Sequence, residues 1–246
     1  MTIKQPSQFT LDILVSPQPT LENFVVAKNH AQHGIELIEV LKRQTTLWQT
    51  SGHHDPELEI IYIWGPTGSG KSHLLKALHH QAQQNDINVL FLQAGSSLWS
   101  YLEYGNVFVH RVYFIDNVDQ LNPNEQSSFF RLLIEAKENE EILIIATGSE
   151  SVHGLSLRTD ISSRLASGLN FQLHILQDNE KIVAINEFSL ARGLHIPKDI
   201  APWLIQHFHR DLPSLLSLIE ALDHYSLQSK RAITLPLVRD LLKTTS

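Results

Sequence analysis

The chain has 246 residues, 42% of them hydrophobic and 18% charged, with a formal net charge of -7 and no cysteine. That length carries one or two domains with a sizeable core, and the acidic balance, with a pI near 6.0, argues against autonomous DNA binding, which calls for a basic surface and a high pI. The lack of cysteine excludes disulfides and thiolate metal sites; the fourteen histidines form no metal-ligand pattern and read as solvated or capping groups.

Residues 1–22 read as an extended segment broken by Pro6, Pro17 and Pro19. Met1 to Gln8 lacks the apolar core of a signal peptide, and no apolar run approaches the roughly 18 residues that span a bilayer. The expectation is a cytoplasmic protein with no membrane partner. After Gln8, the residues Phe9, Leu11 and Ile13 alternate, the pattern of a short strand or docking peptide. Thr20 to Val26 leads into a helical pattern from His30 to Trp48, and a polar turn cluster, Ser51 to Pro56, closes it.

Glu59 to Trp64 is a short β-branched and aromatic run, expected to be a buried strand. It feeds directly into Gly65-Pro66-Thr67-Gly68-Ser69-Gly70-Lys71-Ser72, a match to G-x-x-x-x-G-K-[ST]. From His73 to Gln84, apolar residues recur at helical spacing. Strand, Gly-rich loop and helix is the context this motif requires. Glycines let backbone N–H groups turn toward phosphate oxygens, and the helix adds the positive end of its dipole. Lys71 would reach the β-phosphate of ADP or the β- and γ-phosphates of ATP, and the Ser72 hydroxyl would hold Mg²⁺.

Three more strands are expected at Asn88–Gln93, Arg111–Asp116 and Glu141–Thr147, with a fifth at Leu169–Leu176 and helices at Ser96–Tyr104 and 124–139. Asp116, a carboxylate ending an apolar strand, has the character of a Walker B acid that holds Mg²⁺ or its water. Strands alternating with helices imply a five-stranded parallel sheet with helices on both faces and a site at the strands' C-terminal ends. From 178 onward four helices are expected, at 178–193, 198–208, 212–229 and 235–243. The domains are therefore drawn as an N-terminal segment 1–22, an α/β nucleotide-binding domain 23–176 and a small all-helical domain 177–246.

A P-loop domain followed by a helical lid resembles the AAA+ family. The stretches TLENFVVAKNHA, GPTGSGKSHLLKAL, FIDNVDQL and DISSRLASGLNFQL resemble the bacterial initiator DnaA and, more closely, its short paralogues of the Hda type, across nearly the whole chain. DnaA continues past its lid into a helix-turn-helix domain; here Ser246 follows the lid, which the resemblance places with the Hda type. The resemblance adds Val25, Val26 and His73 to the nucleotide contacts and marks Thr147, Ser149 and Arg210 as sensor candidates. It implies that Gln8, Phe9, Leu11 and Ile13 dock on the β subunit of the DNA polymerase sliding clamp. It also implies that Arg164 is an arginine finger acting in trans, with Arg158 its neighbouring competitor and a surface salt bridge the alternative role. Partners implied are DnaA, the clamp and a homodimer or higher AAA+ assembly, with DNA contact mainly indirect.

Two positions depart from a robust ATPase. Asn117 stands where many AAA+ proteins carry an acid, and losing such a base costs about 10²–10⁴ in rate. Asp119 would share a face with Asn117 if the strand ran on. Pro213 stands where DnaA-type lids carry a sensor arginine, with Arg210 three residues before it. The expectation is tight nucleotide binding with weak intrinsic ATPase activity, in a regulator that docks on the DNA-loaded clamp and switches off ATP-bound DnaA. A helicase-loader ATPase is the alternative, and a DnaA-binding scaffold with a vestigial site a third reading.

Overall fold

The computed structural model describes residues 18–27, 31–103, 111–208 and 211–244. It divides into two compact units, whose boundary in the sequence falls between Ile175 and Leu176. In the first, strands β1 (Ile60–Trp64), β2 (Val89–Gln93), β3 (Val112–Asp116), β4 (Leu143–Gly148) and β5 (Leu169–Gln172) form a parallel sheet in the order β2-β3-β4-β1-β5. The strands read as unbroken apolar runs because both faces are covered. Ile60 and Tyr62 of β1 pack on one side, Ile61 and Ile63 on the other. The same alternation sends Tyr113 and Ile115 of β3 one way and Val112 and Phe114 the other.

Helices α1 (Ala31–Ser51) and α2 (Lys71–Gln84) cover the Ile61 face with Leu37, Leu41, Trp48, Leu74, Leu75 and Leu78. The Tyr62 face receives Trp99 and Leu102 of α3 (Leu98–Glu103), Phe129, Leu132 and Leu133 of α4 (Pro123–Glu138), and Ile161 and Leu165 of α5 (Thr159–Ser167). Helix α4 opens with a reciprocal cap: Asn122 Oδ1 accepts from Glu125 N at 3.1 Å, and Glu125 Oε2 accepts from Asn122 N at 2.9 Å. The other Glu125 oxygen accepts from Gly95 N at 2.7 Å, which ties the turn after β2 to this helix.

Register decides where the chemistry gathers. Ile115 lies beside Ala146, and Trp64 beside Gly148. The C-terminal ends of β1, β3 and β4 therefore lie together, so that Asp116 and Thr147, at the ends of their strands, and Gly65, just past β1, meet at one edge of the sheet. Helix α5 was not expected. Its nine residues bury only Ile161 and Leu165, too brief an amphipathic pattern to stand out from a polar stretch. β5 stops at Gln172, four residues short of the expectation; Leu173 N still bonds to Trp64 O at 2.7 Å, but Ile175 is exposed.

The second unit contains α6 (Asp178–Ala191), α7 (Ile200–His207), α8 (Leu212–Ser229) and α9 (Leu235–Thr244). Its core holds Ile185, Leu204, Leu215, Ile219, Val238 and Leu241. Pro213 sits in the first turn of α8, where its missing N–H costs nothing, and Asp211 caps that helix by accepting from Ser214 N at 2.9 Å.

Candidate functional site

The Gly-rich loop leaves β1 through Gly65 (φ 152) and turns through Gly68 (φ 84) and Gly70 (φ 97). Two of these glycines answer to close approach as well. A Cβ at Gly65 would strike the carbonyl oxygen of Leu173, and one at Gly70 would lie 2.6 Å from the Phe24 ring. Helix α2 starts at Lys71 with no side-chain cap on Gly70, so its first N–H groups keep their bonding capacity for an anion. The Lys71 ammonium is buried over the loop, donating to Gly65 O at 2.6 Å and to Pro66 O at 3.1 Å. Burial lowers its pKa, opposed by the negative fields of Asp116 and Asp119. Ser69 Oγ is buried beside the loop without a hydrogen-bond partner.

Asp116 is the centre of a short polar network. Ser72 Oγ donates to its two oxygens at 2.9 and 3.2 Å. Thr147 Oγ1 donates to Oδ1 at 2.6 Å, and Gln93 Nε2 reaches Oδ2 at 3.4 Å. The P-loop serine, the strand acid and the β4 threonine thus share one carboxylate, within reach of an ion that takes oxygen ligands. Gln93 carried no sequence signal; it enters because β2 lies beside β3 with Gln93 opposite Asp116.

The strand does not run on to Asp119, so Asp119 and Asn117 do not share a strand face. Asn117 turns at φ 57 and starts a 3₁₀ turn over Val118–Gln120. Asn tolerates this left-handed conformation better than most residues, a local signal that marks the turn in the sequence. Its N–H donates to Thr147 Oγ1 at 3.0 Å. Asp119 Oδ1 accepts from Ser149 N at 3.0 Å. Both sensor candidates on β4 and its exit are therefore bonded to the loop after Asp116.

Val25 and Val26 line a small cleft together with Phe24, Gly34, Ser69 and Leu173. His73, in the first turn of α2, donates from Nε2 to Thr20 O at 3.0 Å; the carbonyl can only accept, which fixes the tautomer.

Arg164 lies elsewhere. It lines a groove with Glu59, Ile60, Phe130, Lys137 and Asp160, at the end of β1 opposite the P-loop. Its guanidinium sits 5.4 Å from the centre of the Phe130 ring. Arg158 approaches the same ring at 5.0 Å but is ion-paired with Asp160 at 2.6 Å. Arg210 and the Gln8, Phe9, Leu11 and Ile13 set lie outside the described residues.

The residues present fit a nucleotide with a divalent ion. The glycines open the backbone, Ser69 Oγ is an orphaned buried hydroxyl, Lys71 supplies charge, and Ser72 with Asp116 supplies hard oxygen ligands.

The bacterial DnaA ATPase-domain family matches residues 17–172, and the Hda lid-domain family matches 178–242. A Haemophilus influenzae protein described as uncharacterized is 27% identical over 239 residues, 96% of this chain and 98% of its own length. Domain III of the Thermotoga maritima replication initiation protein DnaA superposes with a TM-score of 0.68 at 20% identity, covering 93% of this chain and 97% of that one. AMPPCP-bound DnaA from Aquifex aeolicus gives 0.62 at 22% identity, covering 87% and 70%. At such identities the structural likeness establishes the fold.

Proposed function

This chain belongs to the DnaA-related Hda family, and from that premise we propose that it is a nucleotide-bound negative regulator of DNA replication initiation. Gly65 to Ser72 and the backbone N–H of His73 hold the phosphates of ADP or ATP, Ser72 and Asp116 hold Mg²⁺ through the nucleotide, and Val25 and Val26 wall the base side. The bound nucleotide supplies a stable, charged centre around which the first unit is organised. Thr147 holds Asp116 in place. Asn117, an amide where a carboxylate would take a proton from water, keeps intrinsic turnover low.

The observation that carries the reading is the placement of Arg164. It shares its groove with Glu59 and Ile60, at the start of β1, while the P-loop leaves the end of that strand. Five residues of strand separate them by about 15 Å. Arg164 therefore serves a neighbour's nucleotide and not its own. Its partner is ATP-bound DnaA, where an added cation stabilises the charge that develops as the terminal phosphoryl group passes to water; such a finger is worth about 10³–10⁵ in rate. Residues Gln8 to Ile13 hold the protein on the sliding clamp, so that the switch operates only where DNA has been loaded with clamp.

The test is the nucleotide content of the freshly purified protein, followed by its own ATP turnover and a clamp pull-down. Stoichiometric ADP, negligible turnover, and loss of clamp capture in Gln8→Ala with Leu11→Ala support the reading. Rapid turnover stimulated by single-stranded DNA would replace it with a helicase-loader ATPase.

A further inference from the structure

We propose that His73 is a positioning residue that holds the wall of the base-binding cleft, so that affinity for base-bearing phosphates depends on it while affinity for bare phosphate does not. This rests on the nucleotide reading of that cleft.

The wall is a strap of chain, Thr20 to Ala27, outside any helix or strand. It is folded on itself by a reciprocal turn: Thr20 N donates to Asn23 Oδ1 at 2.9 Å, and Asn23 N donates to Thr20 Oγ1 at 3.2 Å. Leu21 plugs the core beside α1 and α2, only 4% exposed. Phe24 then lies across the first turn of α2, against Gly70 and with its ring centre 5.8 Å from that of His73. Past Phe24 come Val25 and Val26, which face the cleft shared with Ser69 and Leu173.

A polar tie joins this strap to the P-loop helix: the His73 Nε2–H bond to Thr20 O. The imidazole is kept neutral by burial, which lowers its pKa against the raising effect of that bond. His73 belongs to both halves of the site. Its backbone is in the first turn of α2, where N–H groups point at an anion. Its side chain sets the position of the segment that carries Val25 and Val26. A ligand that spans both halves, with phosphates on the loop and a base in the cleft, gains from the tie. A ligand that engages the loop alone does not.

The experiment compares ADP with inorganic pyrophosphate, each with Mg²⁺, on nucleotide-stripped full-length protein, as wild type, His73→Ala and His73→Gln. The expected result is about tenfold weaker ADP binding for His73→Ala, the scale of one well-placed hydrogen bond, with pyrophosphate binding unchanged. His73→Gln, which can offer an N–H to the Thr20 carbonyl, recovers most of the loss. Hydrogen exchange on the ligand-free proteins should show faster exchange at Asn23 and Phe24 in His73→Ala, with the β1 and β4 amides unchanged. ADP binding equal to wild type, equal loss of both ligands, or unaltered exchange in the strap would overturn the assignment. Wild-type protein that binds neither ligand would instead remove the nucleotide reading, and the role of His73 with it.

Discussion

Replacing Thr147 with Val perturbs one buried hydroxyl with two duties. Thr147 is fully buried, and Val keeps its shape, so the change opens no cavity. The hydroxyl donates to the Asp116 carboxylate at 2.6 Å and accepts from Asn117 N at 3.0 Å. Losing a bond to a charged acceptor costs about 1.5–3 kcal/mol, and stranding the partly buried Asn117 N–H adds about 1 kcal/mol or more. Asp116 keeps Ser72 at 2.9 Å, so the carboxylate is weakened but not abandoned. The sum is about 3 kcal/mol, which for a unit of this size lowers Tm by roughly 6–12 °C. Thermal and urea denaturation followed by circular dichroism would read it, with Thr147→Ser as the control that keeps the hydroxyl and loses only a methyl group, at about 1 kcal/mol. A Thr147→Val protein within about 1 kcal/mol of wild type, or a Ser variant as damaged as the Val variant, would refute the assignment of the Asp116 network to this hydroxyl.

Gly70→Ala should cost about 2 kcal/mol and weaken ADP binding, because φ 97 is strained for any Cβ and that Cβ meets Phe24 at 2.6 Å; adding Phe24→Ala should relieve the clash but not the strain, and full recovery in the double variant would show the backbone angle to be unimportant. Stability should fall as pH drops through about 6.5, because burial holds His54, His73 and His79 below the usual imidazole value. The unfolded chain then binds protons that the folded chain refuses, and the loss levels off only once the folded imidazoles titrate. For His79, packed edge-on against Phe91 and Phe114, substitution with Gln should flatten the slope between pH 7 and 5 by up to about 1.4 kcal/mol per pH unit, read as urea midpoints across that range; an unchanged slope would place the titration elsewhere.

Much of the first unit was legible because its cues are local. The run Ile60 to Trp64 ends in a glycine motif whose length fixes where α2 must start, and Asn122, Pro123 and Glu125 spell a helix start in four residues. The lid helices were bounded equally well by Gly193, Pro197 and Pro213. What escaped were features made by register or by short range. Helix α5 has only two core contacts to announce it. Gln93 joins the Asp116 network through strand pairing, which no single segment encodes. The tie between His73 and Thr20 spans 53 positions, which no local pattern announces. The placement of Arg164 was legible only as a resemblance. Its separation from the P-loop depends on α5 running back along the sheet, so that Gly168, the residue after that helix, packs against Ile60.

The most direct test of a regulator that acts in trans is a hydrolysis assay on ATP preloaded on DnaA, with clamp on DNA and this protein as wild type or Arg164→Ala. The wild type should accelerate hydrolysis on DnaA while turning over little ATP itself. Arg164→Ala, with unchanged melting and unchanged ADP binding, should lose that acceleration by about 10³-fold or more. Acceleration that persists in Arg164→Ala would contradict the finger, and with it the account of how this protein acts.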